Sequence, residues 1–131
     1  MRTRRKQLIM IADRDEDERR LLKAVLKLSG FRVVEAADGL EVIRLAQTER
    51  PDLMVLDLTL PRAAEAIRRV RKDSILKHRP VVTVSTKPRS SWQRHLSERS
   101  QMHLNKPVRL ESFCEFIKVC LSSSETELAM Q

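Results

Sequence analysis

Five short apolar runs alternate with amphipathic stretches along this chain, and the alternation constrains the fold more than any other feature. The five runs are Leu8–Ala12, Phe31–Ala36, Leu53–Asp57, Val81–Ser85 and Met102–Asn105. Each has the length of a β-strand, and most are apolar almost throughout. Strands of this kind are typical of a parallel sheet whose two faces are both covered by helices.

The stretches between and after these runs place apolar residues at helical spacing. The spacing predicts helices over Asp15–Ser29, Leu40–Glu49, Ala63–Val70 and Ser91–Arg99, and a last helix that ends near Leu121. So regular a strand–helix alternation predicts an α/β fold. We expect a doubly wound, flavodoxin-like, five-stranded parallel sheet in the order 2-1-3-4-5, with helices on both faces.

The length of 131 residues suits a single domain. We expect a basic N-terminal arm over residues 1–6, the domain over residues 7–121 and a disordered polar tail over residues 122–131. The apolar run behind the basic arm ends at Asp13, so it is too short for a signal peptide or a membrane span. A cytoplasmic protein without a membrane partner is therefore expected. Cys114 and Cys120 point to different faces of the last predicted helix, so both should stay reduced.

The formal net charge is +8, and basic residues recur in clusters such as Arg68–Lys72. This balance favours non-specific contact with polyanions, but a set of solvated helix faces and loops is the preferred explanation. The chain has one Trp, three Phe and no Tyr, which leaves few rings on which nucleic-acid bases could stack. Only non-specific nucleic-acid binding is therefore expected. The absence of a glycine-rich phosphate loop and of a His or Cys metal array argues against an ordinary metabolic enzyme.

Polar residues stand at the ends of four of the predicted strands. Asp13, Asp57 and Ser85 end the first, third and fourth strands, and Lys106 follows the fifth. In an open parallel sheet the ligand crevice lies beyond the carboxyl ends of the strands, so these side chains should converge. A carboxylate there can attack a phosphoryl group, a cation can stabilise the transferred charge, and oxygen ligands suit Mg²⁺.

Several segments of the chain resemble the receiver family of two-component signalling over residues 7–121. They are Leu8–Asp13, Val34–Gly39, Pro51–Pro61, Pro80–Ser85 and Asn105–Pro107. The Pro-Asp-x₄-Asp-Leu-x-Leu-Pro stretch and the late Lys-Pro are together specific to that family. The resemblance implies a response regulator that is not an enzyme beyond promoting its own phosphotransfer and dephosphorylation.

The resemblance also assigns roles to residues. It implies that Asp57 is phosphorylated, with Ser85 as the phosphate-binding hydroxyl and Lys106 as its cationic partner. Asp13, Asp57 and the backbone carbonyl of Thr59 would bind Mg²⁺. The implied partners are a sensor histidine kinase or phosphotransfer protein and an unknown downstream protein. The latter would contact the face formed by the predicted fourth helix, the fifth strand and the last helix.

Arg14 departs from the family pattern, because members usually carry a second acid, and a direct metal ligand, at that position. A guanidinium group offers only donors. Three arrangements are open: Arg14 turns to solvent and leaves a weak metal site, Asp15 or Asp17 reaches in instead, or Arg14 pairs with Asp57 in the metal's place.

Three further departures concern signalling. The loop Arg62–Glu65 lacks the usual Gly-containing motif and is about two residues shorter than the family pattern, so the third helix should start early. Thr86 replaces a small residue. His103 takes the place of a switch Tyr or Phe; it would either rotate with Ser85 on phosphorylation or simply lie at the sheet edge. A phosphorelay receiver is thus the first hypothesis, and a degenerate receiver that binds proteins without phosphorylation is the alternative.

Overall fold

Five parallel strands form one sheet in the order β2-β1-β3-β4-β5. The structure is a computed structural model and describes residues 5–86 and 102–130. The strands are β1 Leu8–Ala12, β2 Arg32–Ala36, β3 Leu53–Asp57, β4 Val81–Ser85 and β5 Met102–Asn105. The order and the parallel register confirm the α/β fold expected from the sequence.

The described residues include four α-helices: α1 Glu16–Leu28, α2 Gly39–Glu49, α3 Ala63–Lys72 and α4 Leu110–Met130. A 3₁₀ turn spans Leu76–His78 before β4. Two aspartates define helix starts, because Asp15 accepts hydrogen bonds from the N–H groups of Asp17 and Glu18, and Asp38 accepts one from Glu41. The helix predicted over Ser91–Arg99 lies outside the described residues. None of the described helices is both long and apolar enough to cross a bilayer.

Each face of the sheet carries its own apolar core, since successive side chains along a strand point to opposite faces. One core joins Met10 and Met54 to Ile67 of α3 and residues of α2. The other joins Ile9 and Val55 to α1 and α4. The two cores hold β1 and β3 in the centre of the sheet, where all five residues of each strand are buried.

The last helix is longer than the sequence analysis expected. It continues to Met130, whereas we expected it to end near Leu121 and to give way to a disordered tail over residues 122–131. No Gly or Pro follows Pro107, and Glu, Leu, Ala and Met near the C-terminus favour helix, so nothing in the sequence stops it. Cys114 and Cys120 of this helix are free thiols, as expected.

Candidate functional site

The polar residues expected at the strand ends lie along the carboxyl edge of the sheet. Asp13, Asp57 and Ser85 are buried there, at 3%, 2% and 2% exposure, although each carries a polar group. Burial of a polar group is costly unless it is paired, so these side chains mark the edge as more than a structural boundary. The backbone N–H of Lys106 donates to the carbonyl of Ser85 at 3.0 Å and attaches the residue after β5 to the end of β4.

The ammonium group of Lys106 joins three carboxylates. Its Nζ atom lies 2.7 Å from Asp57 Oδ2, 2.7 Å from Glu18 Oε2 and 3.3 Å from Asp13 Oδ2. An ammonium group has three donors, so this set can use all of them. Burial alone would lower the pKa of Lys106, but its hydrogen bonds to Asp57 and Glu18 raise it above the ordinary value. Lys106 is therefore a permanent cation at this site.

Asp57 accepts hydrogen bonds at both carboxylate oxygens. Oδ2 accepts from Lys106, and Oδ1 accepts from both the backbone N–H and the side-chain hydroxyl of Thr59, each at 2.8 Å. Burial acts to raise the pKa of this carboxyl, but the bonds from Lys106 and Thr59 outweigh it and lower the pKa below the ordinary value. Asp57 is thus held in the ionised form, which is the form that acts as a nucleophile.

Asp13 has the opposite electrostatic balance. Its Oδ1 accepts the backbone N–H of Asp15 at 2.9 Å. Burial, followed by the nearby charges of Asp57 and Glu18, raises its pKa to about 6 in spite of this bond and of Lys106. Two carboxylates of similar burial therefore differ in pKa, because Asp57 receives most of the donated hydrogen bonds.

Arg14 is exposed at the rim of the site. This position matches the first of the three arrangements considered above, in which the guanidinium group turns to solvent. Asp15 serves as the N-cap of α1, so its carboxylate binds backbone N–H groups of the helix. The cation beside Asp57 is Lys106, not Arg14.

Sequence reasoning missed two contacts of the site. It did not single out Glu18, yet the carboxylate of this residue reaches Lys106 across 88 positions of sequence. It assigned Thr59 a role through its backbone carbonyl, yet the hydroxyl of Thr59 binds Asp57 directly. The available signal for Glu18 was its position three residues after the N-cap Asp15, one turn from the end of β1.

His103 lies on β5, opposite Thr83 of β4. Its Nδ1 atom is 2.8 Å from the Thr83 hydroxyl, and the residue is half-buried. Ser85 follows Thr83 by two positions, so both belong to the same face of the strand. The rotating role that the resemblance implied for His103 remains a prediction.

The site has the donor set for a divalent cation. One carboxylate oxygen from each of Asp13, Glu18 and Asp57 lies within 4.8 Å of the others. Ligands on opposite sides of a Mg²⁺ ion are roughly 4.2 Å apart, so a small inward movement would let all three reach one ion. Oxygen ligands and excess negative charge both suit Mg²⁺.

Comparison with known proteins agrees with this geometry. Residues 9–118 match the family described as the response regulator receiver domain. The polar-differentiation response regulator DivK of Brucella anthropi is 27% identical over 119 residues, which cover 88% of this chain and 97% of that protein. Its counterpart in Brucella ovis is 26% identical with the same coverage.

Solved structures share the fold. A CheY-like receiver domain from Methanospirillum hungatei has a TM-score of 0.85 at 23% identity, covering 94% of this chain and 99% of its own. The receiver domain of a sensor histidine kinase from Pseudomonas aeruginosa has a TM-score of 0.78 at 21% identity, covering 90% of this chain and 99% of its own. That structure contains a magnesium ion coordinated in its active-site cleft.

Proposed function

Because the chain belongs to the response regulator receiver domain family, we propose that it accepts a phosphoryl group on Asp57 and passes a signal on by protein–protein interaction. The donor would be a phosphorylated histidine of a sensor histidine kinase or phosphotransfer protein. The single observation that carries this proposal is the buried Asp57 carboxylate, one oxygen of which lies 2.7 Å from the Lys106 ammonium.

The transfer needs little covalent chemistry from the protein. An oxygen of Asp57 attacks the phosphorus atom, the bond between phosphorus and the donor imidazole nitrogen breaks, and that nitrogen keeps the electron pair. The product is a mixed anhydride on Asp57. Lys106 lies where it can stabilise the negative charge of the transferred group, and the Thr59 N–H and hydroxyl can hold the other oxygen of Asp57.

Mg²⁺ is part of the proposal, since the donor set of the site suits it and a family member from Pseudomonas aeruginosa coordinates it. When bound, the ion neutralises charge on the phosphoryl oxygens. Asp13, Asp57 and the Thr59 carbonyl are the ligands that the family resemblance implies. The protein would act in the cytoplasm as a receiver that promotes only its own phosphotransfer and dephosphorylation, with a downstream protein as its second partner.

The test is intact mass after incubation with a small phosphodonor and Mg²⁺. We expect the wild-type protein to gain one phosphoryl group and the Asp57→Asn variant to gain none. Asp52→Asn is the matched control: Asp52 directly precedes β3 but binds the N–H of Leu8 at the opposite edge of the sheet, so its variant should be phosphorylated normally. An unchanged wild-type mass would sink the proposal.

The alternative, a degenerate receiver that binds proteins without phosphorylation, has less support. It was motivated by Arg14, the short loop after Pro61 and His103. Arg14 is exposed, and Asp57 is in contact with both Thr59 and Lys106. Equal signalling by wild type and Asp57→Asn would favour the alternative.

A further inference from the structure

The charges at the site do not balance. In the described part of the chain, Lys106 supplies the ion pairs of all three carboxylates, Asp13, Glu18 and Asp57. Three carboxylates against one ammonium leave an excess of two negative charges, which equals the charge of one divalent cation.

Neighbouring arginines do not remove this excess. Arg14 is exposed. Arg19 directs its guanidinium to the backbone carbonyl of Asp13 at 2.7 Å and to the carboxylate of Glu35 at 3.3 Å. The ion pair of Arg19 is thus with Glu35, a residue of β2 outside the cluster that Lys23 also contacts at 3.0 Å, and not with Asp13, Glu18 or Asp57.

Glu18 differs from the other two carboxylates in its freedom to move. The side chains of Asp13 and Asp57 are 5% and 3% exposed, whereas that of Glu18 is 26% exposed. Its backbone is fixed, because the Glu18 N–H donates to the N-cap Asp15 and begins α1. A long side chain on a fixed backbone at the rim can move inward by the short distance that a shared ion requires.

We propose that Glu18 completes a divalent-cation site with Asp13 and Asp57, and so replaces the acid that is missing at position 14. The inference rests on the proposed function, since it names a ligand for the same Mg²⁺. Residue 14 lies just before the N-cap Asp15, whereas Glu18 lies in the first turn of α1 and its carboxylate reaches the same Lys106 that pairs with Asp13 and Asp57. A longer acidic side chain from the first turn of α1 therefore substitutes for a shorter one directly after Asp13.

The experiment is Mg²⁺ titration by calorimetry of the purified chain. Glu18→Gln removes the ligand charge with little change in shape, and we expect it to weaken Mg²⁺ binding at least about tenfold. Glu16→Gln is the matched control, since Glu16 is in the same turn of α1 but pairs with Arg20 at the surface. Its affinity should stay at the wild-type value. Thermal unfolding of each variant without Mg²⁺ checks that the fold is intact.

A second variant tests whether Glu18 takes the place of an acid at position 14. Arg14→Asp in the Glu18→Gln background restores an acid at position 14, and we expect it to recover Mg²⁺ affinity. Equal affinity of wild type and Glu18→Gln, absence of Mg²⁺ binding by wild type, or no recovery in the double variant would each overturn the inference.

The failure of this inference is distinguishable from that of the proposed function. Phosphorylation of Asp57 is read by mass at saturating Mg²⁺, independently of the titration. If the wild-type protein is phosphorylated and Glu18→Gln does not change its Mg²⁺ affinity, only the inference about Glu18 is wrong. If Mg²⁺ binding depends on Glu18 but no phosphorylation occurs, only the proposed function is wrong.

Discussion

The hydroxyl of Thr83 lies 2.8 Å from Nδ1 of His103, which joins β4 to β5 through side chains as well as through the backbone. Thr83 is 1% exposed, and its hydroxyl also lies 3.3 Å from the carbonyl of Met102. With one hydrogen to donate and two neighbours, Thr83 constrains the orientation of the imidazole ring. His103, which would either rotate with Ser85 on phosphorylation or simply lie at the sheet edge, thus contacts a partner two positions before Ser85.

Replacing Thr83 by Val should release this ring. We expect a loss of about 2 kcal/mol in the free energy of unfolding, since both hydrogen-bond contacts of the buried hydroxyl disappear while the shape is kept. The ring resonances of His103 should shift in NMR spectra, and those of His78, which is exposed before β4, should not. Unchanged His103 resonances would mean that the contact does not persist in solution.

Replacing Lys106 by Met should destabilise the protein by about 3 kcal/mol at neutral pH, because it leaves the buried carboxylates of Asp13 and Asp57 without their cation. Urea unfolding measures the change. The loss should shrink in acid, where carboxylates take up protons. Lys118→Met is the control: Lys118 is half-exposed and pairs with Glu115, so its loss should cost less than about 0.5 kcal/mol. Similar values for the two variants would contradict the geometry of the site.

Asp13→Asn should stabilise the metal-free protein. The pKa of Asp13 is raised from 3.8 to about 6 in the folded protein. Above pH 6 the ionised Asp13 therefore lowers the free energy of unfolding of the wild-type protein. Below pH 3.8, the pKa in the unfolded chain, Asp13 is protonated in both states and this destabilisation is absent. We expect the variant to be more stable by about 2 kcal/mol at pH 7.5 in the presence of a chelator. The difference should vanish near pH 4.

Asp73→Asn should change the free energy of unfolding in the opposite direction from Asp13→Asn. Bonds from the N–H groups of Leu76 and Ile75 lower the pKa of Asp73, so its carboxylate contributes stability at neutral pH that is lost as the pH falls through its folded pKa. That variant should therefore be the less stable one at pH 7.5. A stabilised Asp73→Asn, or a destabilised Asp13→Asn, would reverse the electrostatic assignment.

Gly39→Ala should destabilise the loop that follows β3. A Cβ atom at Gly39 would lie 2.5 Å from the carbonyl oxygen of Arg62 and 2.7 Å from that of Pro61, and both are backbone atoms. Although Ala favours a helix, we expect a net loss of about 2 kcal/mol in urea unfolding. The neighbouring Leu40→Ala, at a side chain 52% exposed, should cost less than about 0.5 kcal/mol. Equal effects would show that the loop can move away from α2.

Much of the fold was predictable from the sequence because its signals are local. The five apolar runs and the strand–helix alternation each depend on residues close together in the chain. Parallel strands bring their carboxyl ends to one edge, so the sequence alone places Asp13, Asp57 and Lys106 together. The continuation of α4 to Met130 did not follow from such signals, because the polar serines after Leu121 are weak helix formers and are equally typical of a tail.

The direction of side chains at the site was decided only by the tertiary structure. The position of a residue along a strand determines which face of the sheet its side chain points to. For a residue on a helix, the groups that its side chain reaches depend on how the helix packs on the sheet. For this reason the sequence by itself determined that Asp57 and Lys106 share an edge. It could not determine that Arg14 is exposed while Glu18, from the first turn of α1, reaches Lys106.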